Sequence, residues 1–255
     1  MLAAAMALTT AFRRAPFDRP LWRELRPAAD LGTAPPWDAD GSGPAVLLVP
    51  GFMAGDASLR VLAAGVARHG YRPVMSGIER NVDCSGATVE RLVDRLEVAA
   101  AMHGGPVAVV GHSRGGLLAR ALTLRRPDLV DALVTLGSPH ADQLALHPVV
   151  LGQVVALGMF GTLGVRGVLR LGCGGGACCA SFNEALAAPL PNELPYLSLY
   201  SRRDGVVDWR ACLDPLGRHR EVDTTHCGMV ASSTVLDHIL TTLAVTPAER
   251  NLSLC

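Results

Sequence analysis

The sequence predicts an α/β fold: a doubly wound, mostly parallel sheet of about six strands with helices on both faces. Three observations predict it. Short unbroken apolar runs, such as Ala45 to Val49, Val107 to Val110 and Ala132 to Leu136, have the pattern of strands buried on both faces. Between several of them lie segments whose apolar residues recur at helical spacing and end at Gly or Pro. The length of 255 residues suits one large domain with a core between a sheet and two helix layers.

Residues 1–44 read as an N-terminal arm. Met1 to Leu8 is apolar, but Arg13 and Arg14 follow it, whereas a signal peptide carries its charge first. A helix lying on the domain and a cytoplasmic protein are therefore expected. Arg13 to Pro44 is rich in Pro, Arg and Asp and ends in the turn Asp40-Gly41-Ser42-Gly43-Pro44. The domain is expected over 45–255.

Its first strand, Ala45 to Val49, runs into Pro50-Gly51-Phe52. Asp56 or Ser58 would cap a helix carrying Leu59, Leu62, Ala63 and Val66, with Gly70 as its stop. A brief strand, Arg72 to Met75, follows. Val89, Leu92, Val93, Leu96 and Ala100 mark a second helix, closed by Gly104-Gly105-Pro106. The strand from Val107 leads through Gly111-His112-Ser113-Arg114-Gly115 into a helix with Leu117, Leu118, Ala121 and Leu122, ended by Pro127. Ala132 to Leu136 is the next strand and exits at Gly137-Ser138-Pro139. Tyr196 to Tyr200, a weaker strand from Arg220 to Asp223, and a helix from about Ser232 to Leu243 complete the domain.

Composition removes several classes of chemistry. Lys+Arg and Asp+Glu both count 23, so nothing electrostatic favours nucleic acid or an anionic membrane as partner. Every basic residue is arginine, which leaves no amine for a Schiff base, a pyridoxal phosphate linkage or a Walker lysine. Of the seven cysteines none forms a C-x-x-C pair, and the stretch Cys173 to Cys179 lacks the spacing and nearby histidines of a zinc site. Reduced thiols are expected, with no metal and no cofactor. Cys212 and Cys227 flank segments placed at the site's rim, a placement that would allow a bridge.

The strand-pentapeptide-helix setting of Ser113 is what a reactive serine needs: a turn so sharp that only glycines flanking it let strand and helix pass. Functional groups of a doubly wound sheet gather at the carboxyl ends of its strands. Those ends hold Phe52, Ser113, His140, Asp204 and His226, and serine, aspartate and histidine come in that order.

On Val49-Pro50-Gly51-Phe52, Gly111 to Gly116, Asp204-Gly205-Val206-Val207 and Thr225-His226-Cys227-Gly228-Met229, the chain resembles the α/β-hydrolases, near the compact bacterial lipases and esterases. The resemblance covers roughly residues 45 to 245. It implies Ser113 as nucleophile, His226 as general base and acid, and Asp204 as the carboxylate orienting the imidazole. It also implies an oxyanion hole from the backbone N–H groups of Arg114 and Phe52. Some related lipases hold a structural calcium near the acid and histidine loops; no ligand set matches here and none is expected.

Asp208 is the rival acid, with helix capping or pairing with Arg210 as its structural role. His112 is expected to pack or hydrogen-bond, pointing away from the serine, and His140 to mark a strand exit. The remaining histidines lack a serine or carboxylate motif.

Residues 140–195 leave the sheet, a connection long enough to expect a lid or cap. Val149 to Leu171 is apolar on nearly all sides, which suits either a helix pair packed on the domain or a lid that responds to lipid. The expected activity is therefore hydrolysis of hydrophobic carboxylic esters. A thioesterase or acyltransferase with the same triad, and a non-catalytic binding module on this scaffold, remain the alternatives.

Overall fold

The computed structural model describes residues 21–25, 43–174, 176–215 and 217–244. The expected helix over residues 1–8 and most of the arm lie outside them. Six strands form one sheet: β1 (Ala45–Val49), β2 (Arg72–Met75), β3 (Val107–His112), β4 (Val130–Leu136), β5 (Tyr196–Tyr200) and β6 (Arg218–Glu221). All pairs are parallel, in the order β2-β1-β3-β4-β5-β6. The helices are α1 (Arg60–Arg68), α2 (Ser85–His103), α3 (Arg114–Arg125), α4 (Pro148–Thr162), α5 (Ala180–Ala187) and α6 (Ser233–Leu243).

The period of two along each strand divides the core into two layers. Leu47, Val49, Val107, Val109 and Leu133 face α2, α3 and α5, where they meet Leu92, Leu96, Leu118 and Phe182. Val46, Leu48, Ala108, Val110, Val134 and Leu199 face α1 and α6, where they meet Leu62, Val66, Leu236 and Ile239. Strands enclosed in this way need apolar residues at every position, which is why β1 reads as an unbroken run.

Three boundaries depart from expectation. β4 begins at Val130, two residues before Ala132. β6 begins at Arg218, two residues earlier than the sequence suggests, with Leu197 opposite Arg218 and Tyr200 opposite Glu221. It is a charged edge strand, so no apolar alternation marks its ends. Neither Asp56 nor Ser58 caps α1, which is entered through a 3-10 turn at Asp56–Leu59. Asp56 instead accepts bonds from Ser76 Oγ at 2.6 Å and Gly77 N–H at 2.8 Å, tying the exit of β2 to the loop after β1.

The chain leaves β1 toward one edge of the sheet and β3 toward the other. Their carboxyl ends therefore diverge into a crevice, the place where ligands bind in doubly wound sheets. The excursion between β4 and β5 contains α4, two 3-10 turns and α5. Among the described residues no helix is long and apolar enough to cross a membrane.

Candidate active site

Ser113 follows β3 directly and precedes the first residue of α3, with φ 54° and ψ −123°. A non-glycine residue in this region is strained and persists only where its surroundings hold it there. The holding is visible: Ser113 N–H donates to the Leu136 carbonyl at 2.7 Å, and Gly116 N–H to the Ser113 carbonyl at 2.9 Å. A Cβ on Gly111 would stand 2.4 Å from the Gly115 carbonyl oxygen, and one on Gly115 2.2 Å from that of Val49. The two glycines of the pentapeptide are thus required because strand, turn and helix are in backbone contact.

Asp204 and His226 are brought together from the loops after β5 and β6. His226 Nδ1 lies 2.6 Å from Asp204 Oδ2, and both residues are buried. The other carboxylate oxygen, Oδ1, accepts from Val206 N–H at 2.8 Å and Val207 N–H at 2.7 Å. That fixes the carboxylate plane and selects the tautomer in which Nδ1 carries the proton, so Nε2 is the nitrogen able to take another. Burial by itself lowers the His226 pKa, but the adjacent Asp204 carboxylate and then Glu24 outweigh it, leaving it above its ordinary value. Asp208 has the role of a cap: it accepts from Arg210 N–H at 3.0 Å and pairs with the Arg210 guanidinium.

Glu24 is a site residue that the sequence did not reveal. From the arm it reaches in, buried, with one oxygen accepting from Gly205 N–H at 2.8 Å and the other from Cys227 N–H at 2.9 Å. It thereby links the loop after Asp204 to the loop after His226. Its partners lie 181 and 203 residues away in the chain, and no local pattern announces such a contact.

Asn81 was equally hidden. Its side chain donates to the Pro50 carbonyl at 2.7 Å, while its own carbonyl accepts from Met53 N–H at 3.2 Å and from the Arg114 guanidinium at 2.9 Å. Arg114 also donates to Asn81 Oδ1, the Asp83 carbonyl and Ser85 Oγ. Burial lowers this guanidinium to a pKa of about 10, so it stays charged at neutral pH. Asn81 and Arg114 together set the loop holding Phe52 against the N-terminus of α3, where backbone N–H groups point outward.

His112 does hydrogen-bond, as expected, but its ring lies against the site: the centroid is 4.7 Å from that of His226 and Nε2 is 3.0 Å from the His226 carbonyl. Since a carbonyl only accepts, Nε2 is the protonated nitrogen. Burial, with the nearby His226, pushes His112 down to about 3, so the ring is neutral. His140 is partly buried, with its Nε2 3.1 Å from Thr135 Oγ1 and its ring edge-on to Tyr196. Cys212 and Cys227 are both free thiols, so the expected opportunity for a bridge is not taken.

A cavity of about 540 Å³ opens in the crevice. Phe52, Ser113, Arg114 and His226 line it, together with Val150, Val154 and Leu169 of the excursion. Its size is that of a small-molecule site. Ser113 and the imidazole of His226, held by Asp204, thus share one largely apolar cavity.

A family model described as the alpha/beta hydrolase fold matches residues 44–155. Among solved structures, the chain is similar to the mature form of the Bacillus licheniformis lipase BlEst2, at 15% identity and a TM-score of 0.62, covering 83% of this chain and 96% of that one. It is also similar to the 2-hydroxy-6-oxo-6-phenylhexa-2,4-dienoate hydrolase of Rhodococcus sp. strain RHA1, at 17% identity and a TM-score of 0.55, covering 81% and 92%. A thioesterase domain from the curacin biosynthetic pathway matches at 15% identity and a TM-score of 0.51, covering 80% and 93%. With its six parallel strands in this order and its glycine-flanked serine after β3, the chain has the α/β-hydrolase fold.

Proposed function

We propose that the protein is a serine hydrolase that cleaves carboxylic esters with hydrophobic acyl groups through an acyl-enzyme. Ser113 Oγ attacks the ester carbonyl while His226 Nε2 takes its proton. The negative oxygen of the tetrahedral intermediate is met by the backbone N–H groups of Phe52 and Arg114, each donor contributing about 3 kcal/mol. His226 then returns the proton to the departing alcohol. Water, deprotonated by the same imidazole, hydrolyses the acyl-serine. Asp204 holds the imidazole and stabilises its cationic form throughout.

The observation that carries this reading is the strained Ser113 on the same cavity as a histidine whose Nδ1 is held by a buried carboxylate. The apolar wall of Val150, Val154 and Leu169 supports a hydrophobic acyl group. The exposed side chains of Met159, Phe160, Leu163 and Val165 support contact between the excursion and a lipid surface.

Turnover of p-nitrophenyl esters of increasing chain length, measured beside Ser113→Ala, tests both parts. Wild type should react with a fluorophosphonate probe and retain activity beyond butyrate; the variant should do neither. An unreactive wild type would remove the hydrolase reading, and a sharp fall beyond butyrate the hydrophobic acyl preference.

A further inference from the structure

Four cysteines that the proposed chemistry does not use converge beside the cavity. The sulfurs of Cys84, Cys173, Cys178 and Cys179 all lie within 4.8 Å of one another. Cys84 immediately precedes α2, and the other three belong to the excursion. The sequence argued against zinc because the stretch from Cys173 has no zinc-like spacing; the missing partner is 95 residues upstream of Cys179.

The distances suit one metal ion. Zinc–sulfur bonds of about 2.3 Å in tetrahedral geometry place ligand sulfurs about 3.8 Å apart. Cys84 and Cys179 are separated by 3.4 Å, Cys173 and Cys178 by 3.7 Å, and Cys178 and Cys179 by 3.9 Å. Cys178 is thus shared between two neighbours, which makes a group of four rather than two isolated pairs.

Backbone N–H groups and one guanidinium surround the sulfurs. Arg170 N–H donates to Cys173 Sγ at 3.3 Å. Gly86 N–H reaches Cys179 and Ala87 N–H reaches Cys84, both from the first turn of the 19-residue α2, where the helix dipole favours negative charge. A Cβ on Gly86 would stand 2.3 Å from the Cys178 carbonyl oxygen, so glycine is what lets the excursion approach this closely. Arg114, buried against Ser85, lies within electrostatic reach of Cys179, Cys84 and Cys173. A zinc tetrathiolate carries two net negative charges, and this guanidinium offsets part of them.

We propose that Cys84, Cys173, Cys178 and Cys179 bind a zinc ion as a closed tetrathiolate that fastens the excursion to the start of α2. Binding exchanges four S–H protons for one Zn²⁺ and requires no oxidant. With four protein ligands no position remains for water or substrate, so the ion is structural. Cys173 and Ser85 both line the cavity, so the ion stabilises the cavity wall that the excursion supplies.

Metal content of the full-length protein, loaded with Zn²⁺ under reducing conditions and desalted, tests the proposal. Wild type should retain about one zinc per chain. Loading with Co²⁺ instead should produce sulfur-to-metal charge-transfer absorption and the intense visible bands of a tetrahedral site. Cys84→Ser and Cys173→Ser should each reduce retained zinc by about tenfold or more, while Cys227→Ser should not. Circular dichroism and labelling of Ser113 report whether the variants fold, and the wild-type Co²⁺ spectrum depends on no variant. A desalted wild type without metal but with all seven thiols titratable would overturn the proposal. So would retention of zinc by both variants, or an intact mass showing two or four hydrogens lost to disulfides.

Discussion

His226 is subject to opposing influences. Burial disfavours the imidazolium, while Asp204 at 2.6 Å, and then Glu24, favour it and win. In the proposed mechanism His226 must be neutral to act as base, so kcat/KM for ester hydrolysis should rise with pH through an inflection above histidine's ordinary value of about 6.5. The linked stability has the opposite sense. A raised folded pKa means that the ion pair stabilises the fold fully below about pH 6.5, and that this contribution is lost as pH rises through the folded value. Asp204→Asn should lower kcat by about 10⁴-fold and move the inflection to lower pH, because both the tautomer and the charge are lost. Glu24→Gln removes only the more distant charge and should shift the inflection the same way with a smaller loss of kcat. A pH profile of each variant checks both; an unmoved inflection in Glu24→Gln would limit Glu24 to joining the two loops.

Helix α3 must hold Ser113 and Arg114 against the sheet, and one buried ion pair anchors its middle. Arg120 Nη1 lies 2.7 Å from Asp214 Oδ2 with both side chains enclosed, and the same oxygen accepts from Tyr196 Oη at 3.0 Å. Arg120 also donates to the Ala188 carbonyl at 2.8 Å, so the pair joins α3 to the chain just after α5 and to the loop before β6. Asp214→Ala leaves a buried guanidinium without its carboxylate and should destabilise the protein by about 3–5 kcal/mol, read from denaturant unfolding. This pair, like Glu24 and the four thiols, was not legible in the sequence. β1 and β3 were, since burial on both faces dictates an unbroken apolar run, and the elbow was, since its glycines are neighbours in the chain. Asp204 and His226 were singled out by their places at strand ends in an expected order and by the motifs Asp204-Gly205-Val206-Val207 and Thr225-His226-Cys227-Gly228-Met229. Glu24, Asn81, Asp214 and Cys84 meet their partners across long sequence separations, where neither periodicity nor a motif carries information.

At the scale of the whole molecule, the face most at odds with an aqueous surround belongs to the excursion. Of α4 only Leu151, Gly158 and Gly161 are buried, while Met159 and Phe160 are about half exposed and Leu163, just beyond the helix, is 80% exposed. These three side chains form no part of the cavity lining, which comes from Val150, Gln153 and Val154 on the same helix. One segment therefore presents one set of apolar groups to the cavity and another to solvent. Covering the remaining exposed surface of each outer side chain would contribute about 1 kcal/mol on adsorption to a lipid surface, or roughly 3 kcal/mol for the three. The triple replacement Met159→Ser, Phe160→Ser, Leu163→Ser should then weaken binding to phosphatidylcholine vesicles about a hundredfold. Hydrolysis of dissolved p-nitrophenyl butyrate should be unchanged, because the cavity wall is intact. Hydrolysis of an emulsified triglyceride should fall with the binding. Equal losses on the dissolved and emulsified substrates would mean that the replacements act through the cavity, and the outer face would then have no role at an interface.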